Sequence, residues 1–362
     1  MQYNLLVTDA ARTQIRALTE FEHFKVEFGL NTPTVVRELA IDGMAGEQVD
    51  IITELASDLI IYRNKNKIFR GRITYSQDGI GPDRHTVSIS ATDYFELLRR
   101  RILYQDLNYT NVDQSTIAWN LINYTQGLSG GNLGITRGSG QSTGVNRDRP
   151  YEAGQNIGEL IENLSEVING FEYEVTPDLA FNVFYPQRGV QKDVVIQHGK
   201  DIIIVNRTVS SQDFANAIRM NGTEKDDNPA PVATRSTANI GTTPEGRWDK
   251  QIGLSDVSVQ ATLNQRADQE LINSGELRPS YALELRDKSW RGPEHYWIGD
   301  TVQLIIKSGR LNVVQQVRVL KLSLTVNSDG SERVDLTVGA LPPNLNRRIR
   351  RYETRLTQLE RH

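Results

Sequence analysis

Residues 298–341 alternate apolar and polar side chains with a period of two through three consecutive segments, and this pattern restricts the fold most strongly. Turn residues at 307–310 and 327–330 separate the segments, and the second turn contains Asp-Gly, a strong hairpin signal. Alternation with this period predicts an antiparallel sheet with one buried face and one wet face. On the central strand, the predicted apolar face consists of Leu320, Leu322, Leu324 and Val326.

Residues 58–91 repeat this pattern near the start of the chain, with a turn predicted at Gln77-Asp78-Gly79. An aspartate opens each copy, Asp58 in the first and Asp300 in the second. Short apolar runs with turn residues at intervals of about 8 to 12 positions favour a barrel or a sandwich. Two interpretations remain open: β-meanders in general resemble one another, or a β-domain occurs twice with different material between the copies.

The middle of the chain is predicted to be a small α+β module. Asp113 is a candidate N-cap for a helix that ends at Gly127, and apolar residues at helical spacing predict a second helix over residues 157–168. A hairpin is predicted around Pro177-Asp178. Just before the module, residues 93–98 are predicted to form one helical turn, followed by three arginines that suit a solvated end or an ion-pairing patch.

The remainder of the chain is less regular. Four consecutive apolar residues at 202–205 predict a buried strand, whereas the polar segment 221–247 is predicted to be an excursion from a barrel. The last segment, 346–362, is basic and places apolar residues at the a and d positions of two heptads. It is either a helix that docks on the chain's own barrel or a short parallel bundle of three chains. We favour the bundle, whose interface residues would be Ile349, Tyr352, Leu356 and Leu359.

The composition limits the classes of function. A chain of 362 residues has room for two or three domains. Its formal net charge of −4 provides no basic excess, so stable nucleic-acid binding is not expected. The absence of cysteine excludes disulfides and thiolate chemistry. The sequence contains no apolar run of about 18 residues, so no membrane span is predicted. The first residues lack the pattern of a signal peptide.

We predict no catalytic, cofactor-binding or metal-ligating residues. The glycine-rich segment 127–150 lacks the Lys-Ser/Thr pair of a phosphate-binding loop and the spacing of a dinucleotide fingerprint, so a surface loop is predicted. Glu159, Glu162 and Glu166 suit the charged outer face of a helix. No paired-ligand spacing connects the five histidines, which are His23, His85, His198, His295 and His362.

Several segments together resemble a known family. The segments similar to the middle region of minor tail proteins from long-tailed phages of actinobacteria are Trp119-Asn120-Leu121-Ile122, Thr125-Gln126 and Leu133-Gly134-Ile135-Thr136-Arg137-Gly138. A predicted helix over 261–272, the strand 281–285 and Ile298-Gly299-Asp300-Thr301-Val302 resemble the last domain of the same family. The resemblance covers nearly the whole chain in order, and proteins of this family resemble the hub proteins of phage baseplates.

The resemblance implies a β-rich α+β fold in which two tail-tube-like β-barrel domains flank a small α+β module, with a short C-terminal helix. The expected bounds are 1–104 for the first barrel domain and 105–193 for the middle module. The second barrel domain would span 194–343 with its polar insertion near 221–247, and the helix 344–362. Three chains in a ring would present six barrels, which matches a six-fold tail tube.

The resemblance also implies a structural, non-enzymatic role at the tail tip of a virion assembled in the host cytoplasm. A homotrimeric hub would join the six-fold tube to three-fold tip components and form a channel for DNA during genome delivery. Its expected partners are further copies of itself, distal tail or tail tube proteins, the tape measure protein, and tail fibre or spike proteins, with DNA only in transit and no cofactor. Some relatives carry a peptidase or lysin domain after the hub, whereas this chain stops soon after its last predicted barrel.

Two alternatives belong to other classes of function. One is a receptor- or glycan-binding tail adhesin, with a sugar-stacking surface made by Trp248, Trp290, Tyr296 and Trp297. The other is a cell-wall hydrolase that would use scattered carboxylates.

Overall fold

The computed structural model describes residues 2–42, 49–82, 85–138, 142–224, 229–254 and 257–339. The chain separates into two compact units. Of the described residues, those within 2–205 and 282–337 form the larger unit, and those within 206–281 together with 338 and 339 form the smaller unit. Strands outnumber helices throughout the described part, so the predicted β-rich α+β class is confirmed.

The first meander lies at the start of the larger unit. Its strands are β1 (Tyr3–Thr8), β2 (Ile15–Leu18), β3 (Phe21–Gly29), β4 (Thr32–Asp42), β5 (Asp58–Arg63), β6 (Asn66–Ile80) and β7 (His85–Thr92). The turn predicted at residues 77–79 is wrong, because these residues pair with Ser88, Val87 and Thr86 across the ladder of β6 and β7. Gly79 lacks the positive φ that an Asp-Gly hairpin turn requires.

The middle module combines short helices and strands. Helix α1 (Tyr94–Leu98) comes just before it, and the elements of the module are β8 (Leu107–Asp113), α2 (Gln114–Gln126), β9 (Thr136–Arg137), β10 (Asn146–Tyr151), α3 (Ile157–Ser165), β11 (Glu172–Val175) and β12 (Ala180–Phe184). Each helix begins at a side chain that accepts first-turn N–H groups: Asp93, Asp113 and Asn156 respectively. The predicted helices and the hairpin are confirmed. However, α3 ends before residue 168 because a tight turn, in which Gly170 N–H donates to the Val167 carbonyl, replaces its last turn.

The rest of the chain adds nine strands and one helix to the described part. They are β13 (Gln191–Gln197), β14 (Ile202–Thr208), β15 (Ala217–Asn221), β16 (Val232–Ser236), β17 (Asp249–Gly253), α4 (Gln260–Ser274), β18 (Ser280–Leu285), β19 (Thr301–Ser308), β20 (Leu311–Asn327) and β21 (Glu332–Gly339). The meander predicted over 298–341 is confirmed as β19, β20 and β21 for the residues described. The predicted apolar face of β20 is buried as well.

The two meanders belong to one large sheet. Its hydrogen-bonded order is β14-β18-β21-β20-β3-β4-β7-β6-β5-β1-β2, with β19 also pairing with β20 and β13 pairing with β19. From β20 through to β2 the neighbouring strands are antiparallel, as are β19 and β20, whereas β13 and β19 are parallel. Among the described residues this sheet does not close into a barrel, so the structure shows the β-rich fold without the two closed barrels of the expectation.

The smaller unit is a helix packed on a three-stranded sheet. Strand β15 lies between β16 and β17, and the buried residues Ile218, Met220 and Leu263 belong to the core between this sheet and α4. Strand β16 falls within residues 221–247, so that part of the predicted excursion is ordered sheet rather than irregular chain.

Two further expectations meet different outcomes. The strand at 202–205 is present as part of β14, but the prediction that it is buried is wrong for Ile203 and Ile204, which are 51% and 45% exposed. The C-terminal helix over 344–362 lies outside the described residues. None of the helices in the described part of the chain has the length and apolar character of a membrane-spanning helix.

Candidate functional site

Buried arginines, each engaged by a carboxylate, are the main polar features of the larger unit. The first cluster surrounds Asp58, which is fully buried at the start of β5. Its carboxylate accepts hydrogen bonds from Arg72 Nε at 3.0 Å, Arg70 NH2 at 3.0 Å and the Tyr94 hydroxyl at 2.8 Å. Arg72 also donates to the Leu55 carbonyl at 2.7 Å. The cluster therefore ties β5 and β6 to the start of α1.

The second cluster connects the middle module to the second meander. Arg318 on β20 forms a two-pronged ion pair with Glu172 on β11, and its Nε donates to the Gly299 carbonyl at 2.9 Å. The backbone N–H of Arg188 also donates to Glu172, at 2.6 Å. Asp300, next to this cluster in sequence, accepts backbone N–H groups from Val190 and Trp297 at 2.9 Å each.

The third cluster joins the two meanders. Arg63 on β5 and Glu332 on β21 form an ion pair with Nε–Oε1 and NH2–Oε2 distances of 2.9 and 3.1 Å, and their side chains are only 2% and 5% exposed. Tyr3 donates its hydroxyl to Glu332 at 2.5 Å, and burial followed by this carboxylate raises the pKa of Tyr3. The Arg63 guanidinium lies 4.7 Å from the centroid of Trp290 and donates to the Arg291 carbonyl at 3.0 Å.

The three clusters are suited to structure rather than to reaction chemistry. Each carboxylate in them is hydrogen-bonded to a guanidinium, and buried pairs of this kind hold elements in a fixed register. Sequence reasoning missed them, although one signal was available: Arg63, Arg72 and Arg318 stand within strands, where a buried cation requires a partner.

The glycine-rich segment is held by an anion of the chain itself. Asp113 accepts hydrogen bonds from Ser115 N–H at 2.8 Å, the Ser142 hydroxyl at 2.9 Å, Thr143 N–H at 3.0 Å and Gly144 N–H at 2.8 Å. Partial burial opposes its ionisation, but the hydrogen bonds from Ser115, Ser142 and Gly144 outweigh burial and lower the pKa of Asp113 to about 2. The N–H groups of residues 143 and 144 thus already bind a carboxylate rather than a phosphate.

One small cleft in the larger unit contains a titratable group. It has a volume of about 60 Å³, and its lining includes Asp93, Glu174 and Arg188. Burial raises the pKa of Asp93 to about 7, against hydrogen bonds from the N–H groups of Thr34 and Phe95 that lower it. Ligand pockets usually have several hundred Å³, and the Asp93 carboxylate is already engaged as a helix cap, so the cleft does not suit a substrate.

The aromatic residues proposed for glycan stacking do not form one surface. Trp290 and Tyr296 are each only 1% exposed. Trp297 packs against Trp290 at 6.0 Å and against Phe28 at 4.7 Å between ring centroids. Trp248 is 50% exposed, but it belongs to the smaller unit and packs against Phe214. Three of the four aromatic side chains therefore contribute to packing in the larger unit.

The other residues considered for chemistry are dispersed. On α3, Glu162 pairs with Arg99, whereas Glu159 and Glu166 are exposed. This pair confirms the ion-pairing interpretation for Arg99. His85 contacts Asp78 at 3.0 Å, and burial, followed by the charge of Arg291, lowers the pKa of His295. Within the described ranges no three His, Asp or Glu side chains converge as metal ligands. His362 and the predicted interface residues Ile349, Tyr352, Leu356 and Leu359 lie outside the described residues.

Comparisons with known proteins find likeness in structure only. No model of a protein family matches the sequence, and no curated protein matches it either. A tail protein from Neisseria meningitidis MC58 superposes with a TM-score of 0.69 at 11% identity, covering 94% of this chain and 97% of that one. The 43 kDa tail protein of prophage MuSo2 from Shewanella oneidensis gives 0.66 at 12%, covering 92% and 97%.

A third solved structure extends the likeness to almost the full length. Prophage tail protein gp18 from Listeria monocytogenes EGD-e superposes with a TM-score of 0.65 at 11% identity, and 98% of this chain and 99% of that chain are covered. Superposition at such low sequence identity shows a shared fold and does not show a shared activity. The chain therefore has the fold of solved prophage tail proteins.

Proposed function

We propose that this chain is a structural protein of a phage tail and that it serves as a trimeric hub at the tail tip. The observation that carries the proposal is the match of fold to three tail proteins over more than nine-tenths of the chain. The sequence resemblance to minor tail proteins of phages that infect actinobacteria supports the same role. The hub joins the six-fold tube to three-fold tip components and leaves a channel through which DNA passes.

The arrangement of the meanders supports two tube-like domains in each chain. In the sheet, the second meander continues from β21 through β18 to β14 on one side and from β19 to β13 on the other. Residues 198–201 nevertheless connect β13 directly to β14, and His198 forms a β-bridge with Ile202. The first meander likewise brings β2 and β3 together through a two-residue connection. Two such domains in each of three chains give the six positions that a six-fold tube requires.

The satisfied ionic clusters suit a structural role better than an enzymatic one. Large obligate interfaces between subunits need shape and burial rather than reactive groups. The hub would contact tail tube or distal tail proteins and the tape measure protein on one side and fibre or spike proteins on the other.

Antibody labelling of intact virions tests the placement. Negatively stained particles of the encoding phage, labelled with gold-coupled antibody to this protein, should carry gold at the tail end distant from the capsid. Antibody pre-adsorbed with the purified protein is the control. Label along the shaft or on the capsid would reject the hub.

The mass of the purified protein tests the number of copies. Three chains of 40.8 kDa give about 122 kDa. A variant that ends before Asn346 tests the predicted bundle of Ile349, Tyr352, Leu356 and Leu359. A full-length trimer that becomes monomeric on this truncation supports the bundle, whereas a trimer that survives truncation places the contacts in the β-domains.

A further inference from the structure

The two meanders are joined by one pair of strands, β3 and β20, and we call this pairing the β3–β20 joint. The same kind of pairing can be looked for between two copies of the chain. Strand β20 has two halves. Its first half pairs with β19, from Ser308↔Leu311 to Thr301↔Arg318. Its second half pairs antiparallel with β3, from Lys321↔Gly29 to Asn327↔His23. A strand of the first meander thus extends the sheet of the second.

Strand β6 is the counterpart of β20 in the first meander. Ile73 on β6 donates its N–H to the Ser57 carbonyl at 3.0 Å and accepts the Leu55 N–H at 2.8 Å. Val319 on β20 makes the same two bonds, donating to the Asp300 carbonyl and accepting the Gly299 N–H, both at 2.8 Å. An arginine precedes each of these residues, Arg72 and Arg318. The part of β6 that follows Ile73 therefore corresponds to the part of β20 that β3 covers.

In the described part of the chain, the corresponding part of β6 has an edge that no strand covers. Residues 75–80 pair with β7 on one side, from Tyr75↔Ser90 to Ile80↔His85. On the other side, the pairing with β5 ends at Arg72, and no other strand among the described residues pairs with β6. Glu54 accepts a hydrogen bond from the Ser76 hydroxyl in this stretch. Tyr75 and Ile80 are 50% and 81% exposed.

Strand β14 is the counterpart of β3. In the first meander, β3 pairs with β4, and β4 pairs with β7; in the second, β14 pairs with β18, and β18 pairs with β21. Whereas β3 has a second neighbour in β20, β14 is the last strand of the sheet among the residues that the structure describes. Its exposed Ile203 and Ile204 lie on a strand edge that soluble proteins normally cover, shorten or charge.

We propose that β14 of one copy pairs antiparallel with residues 75–80 of β6 in a second copy, repeating the β3–β20 joint between chains. The occupant of each uncovered edge is thus another copy of the same chain. The contact is heterologous, because it joins different surfaces of the two copies, and such contacts build rings when the rotation closes. The inference rests on the proposed hub. In that trimer, three contacts between chains close the ring, and each of them alternates with a β3–β20 joint inside a chain.

Cysteine cross-linking tests the pairing directly, because the natural chain has no cysteine. Full-length chains carrying Ile204→Cys are mixed with full-length chains carrying Gln77→Cys and treated with a short bis-maleimide. We expect a dimer on denaturing gels from the mixture. Chains carrying both substitutions should give a ladder that ends at the trimer. Ile204→Cys mixed with Ile272→Cys, an exposed position on α4, is the matched control and should give no specific product.

A charged substitution provides the second measurement. Ile204→Lys should abolish the trimer while the far-UV circular dichroism of the protein is retained, and Ile272→Lys should leave the trimer intact. A trimer that survives Ile204→Lys and yields no cross-link above the control would overturn the pairing. A chain that stays monomeric at every concentration reached would also overturn it. Gold at the tail tip would in either case leave the placement of the proposed hub standing.

Discussion

The Arg63–Glu332 pair makes a quantitative prediction about the joint between the meanders. Arg63→Met removes two charge-assisted hydrogen bonds and leaves Glu332, whose side chain is only 5% exposed, as an unpaired buried charge. Breaking a buried pair in this way usually costs about 3–5 kcal/mol in the free energy of unfolding. We expect Arg63→Met and Glu332→Met each to cost that amount.

The double variant distinguishes a lost pair from lost packing. With both charges gone, the main remaining penalty is the Tyr3 hydroxyl without its acceptor, at about 1–3 kcal/mol. The double variant should therefore be more stable than the sum of the single losses predicts, by at least about 3 kcal/mol. A buried ion pair replaced by apolar side chains of similar volume is often close to neutral in stability.

Urea unfolding followed by circular dichroism and by tryptophan fluorescence measures these values, since Trp290 lies against Arg63. Coincident transitions from the two signals are needed before a free energy is assigned. Arg333→Met is the matched control, because Arg333 is next to Glu332 on β21 but its side chain is 59% exposed; its cost should stay within about 0.5 kcal/mol. Losses that add in the double variant, or a cost below about 1 kcal/mol for Arg63→Met, would refute the argument.

Two further predictions concern the glycine-rich segment and a backbone contact. The pKa of Asp113 is lowered to about 2 in the folded protein, so its contribution to stability is full above its unfolded pKa of about 4 and is lost as the pH falls towards 2. After allowance for solvent screening we expect the free energy of unfolding to fall by about 1 kcal/mol. Asp113→Ala should expose residues 142–145 to limited proteolysis at pH 7. Unchanged cleavage would show that the hydrogen bonds to Asp113 do not hold this segment. Gly189→Ala should lower Tm more than Gly199→Ala, because both glycines have positive φ but only at Gly189 would a Cβ atom meet backbone, 2.3 Å from Gly299 C. Equal shifts in Tm, measured by calorimetry, would show that backbone strain alone sets the cost.

Local signals in the sequence were sufficient for several of the regular elements. Asp113 and Gly127 delimit α2 as predicted, since capping depends only on neighbouring backbone groups. The alternation of Leu320, Leu322, Leu324 and Val326 identified the core face of β20, because these four side chains are buried on one face of this part of the strand.

Signals that depend on pairing partners were misleading. Asp78-Gly79 resembles a hairpin turn, but β7 supplies partners beyond it, and tertiary pairing overrides a two-residue preference. Ile203 and Ile204 resemble a core strand, yet β14 is the last strand of its sheet, and sequence alone does not distinguish a central strand from an edge.

The partners within the ionic clusters were not accessible from the sequence for a different reason, although arginines within strands indicate that such partners exist. Arg63 and Glu332 are 269 residues apart, so no periodic sequence pattern connects them. Neither residue type indicates burial by itself. Only the register of the strands shows that β5 and β21 present these two charges to each other.

The same joint has a consequence for the order of events during synthesis. Arg63 and Glu332 are 269 residues apart, and ribosomes add about 5–20 residues each second. The first meander therefore waits roughly 15–50 s before the strand that neutralises its buried arginine leaves the ribosome. Throughout this interval β3 also lacks its neighbour on β20, so an apolar edge with Phe24, Val26 and Phe28 stays open to other nascent chains. We expect this chain to depend on chaperones during translation more than a protein of equal size whose strands pair in sequence.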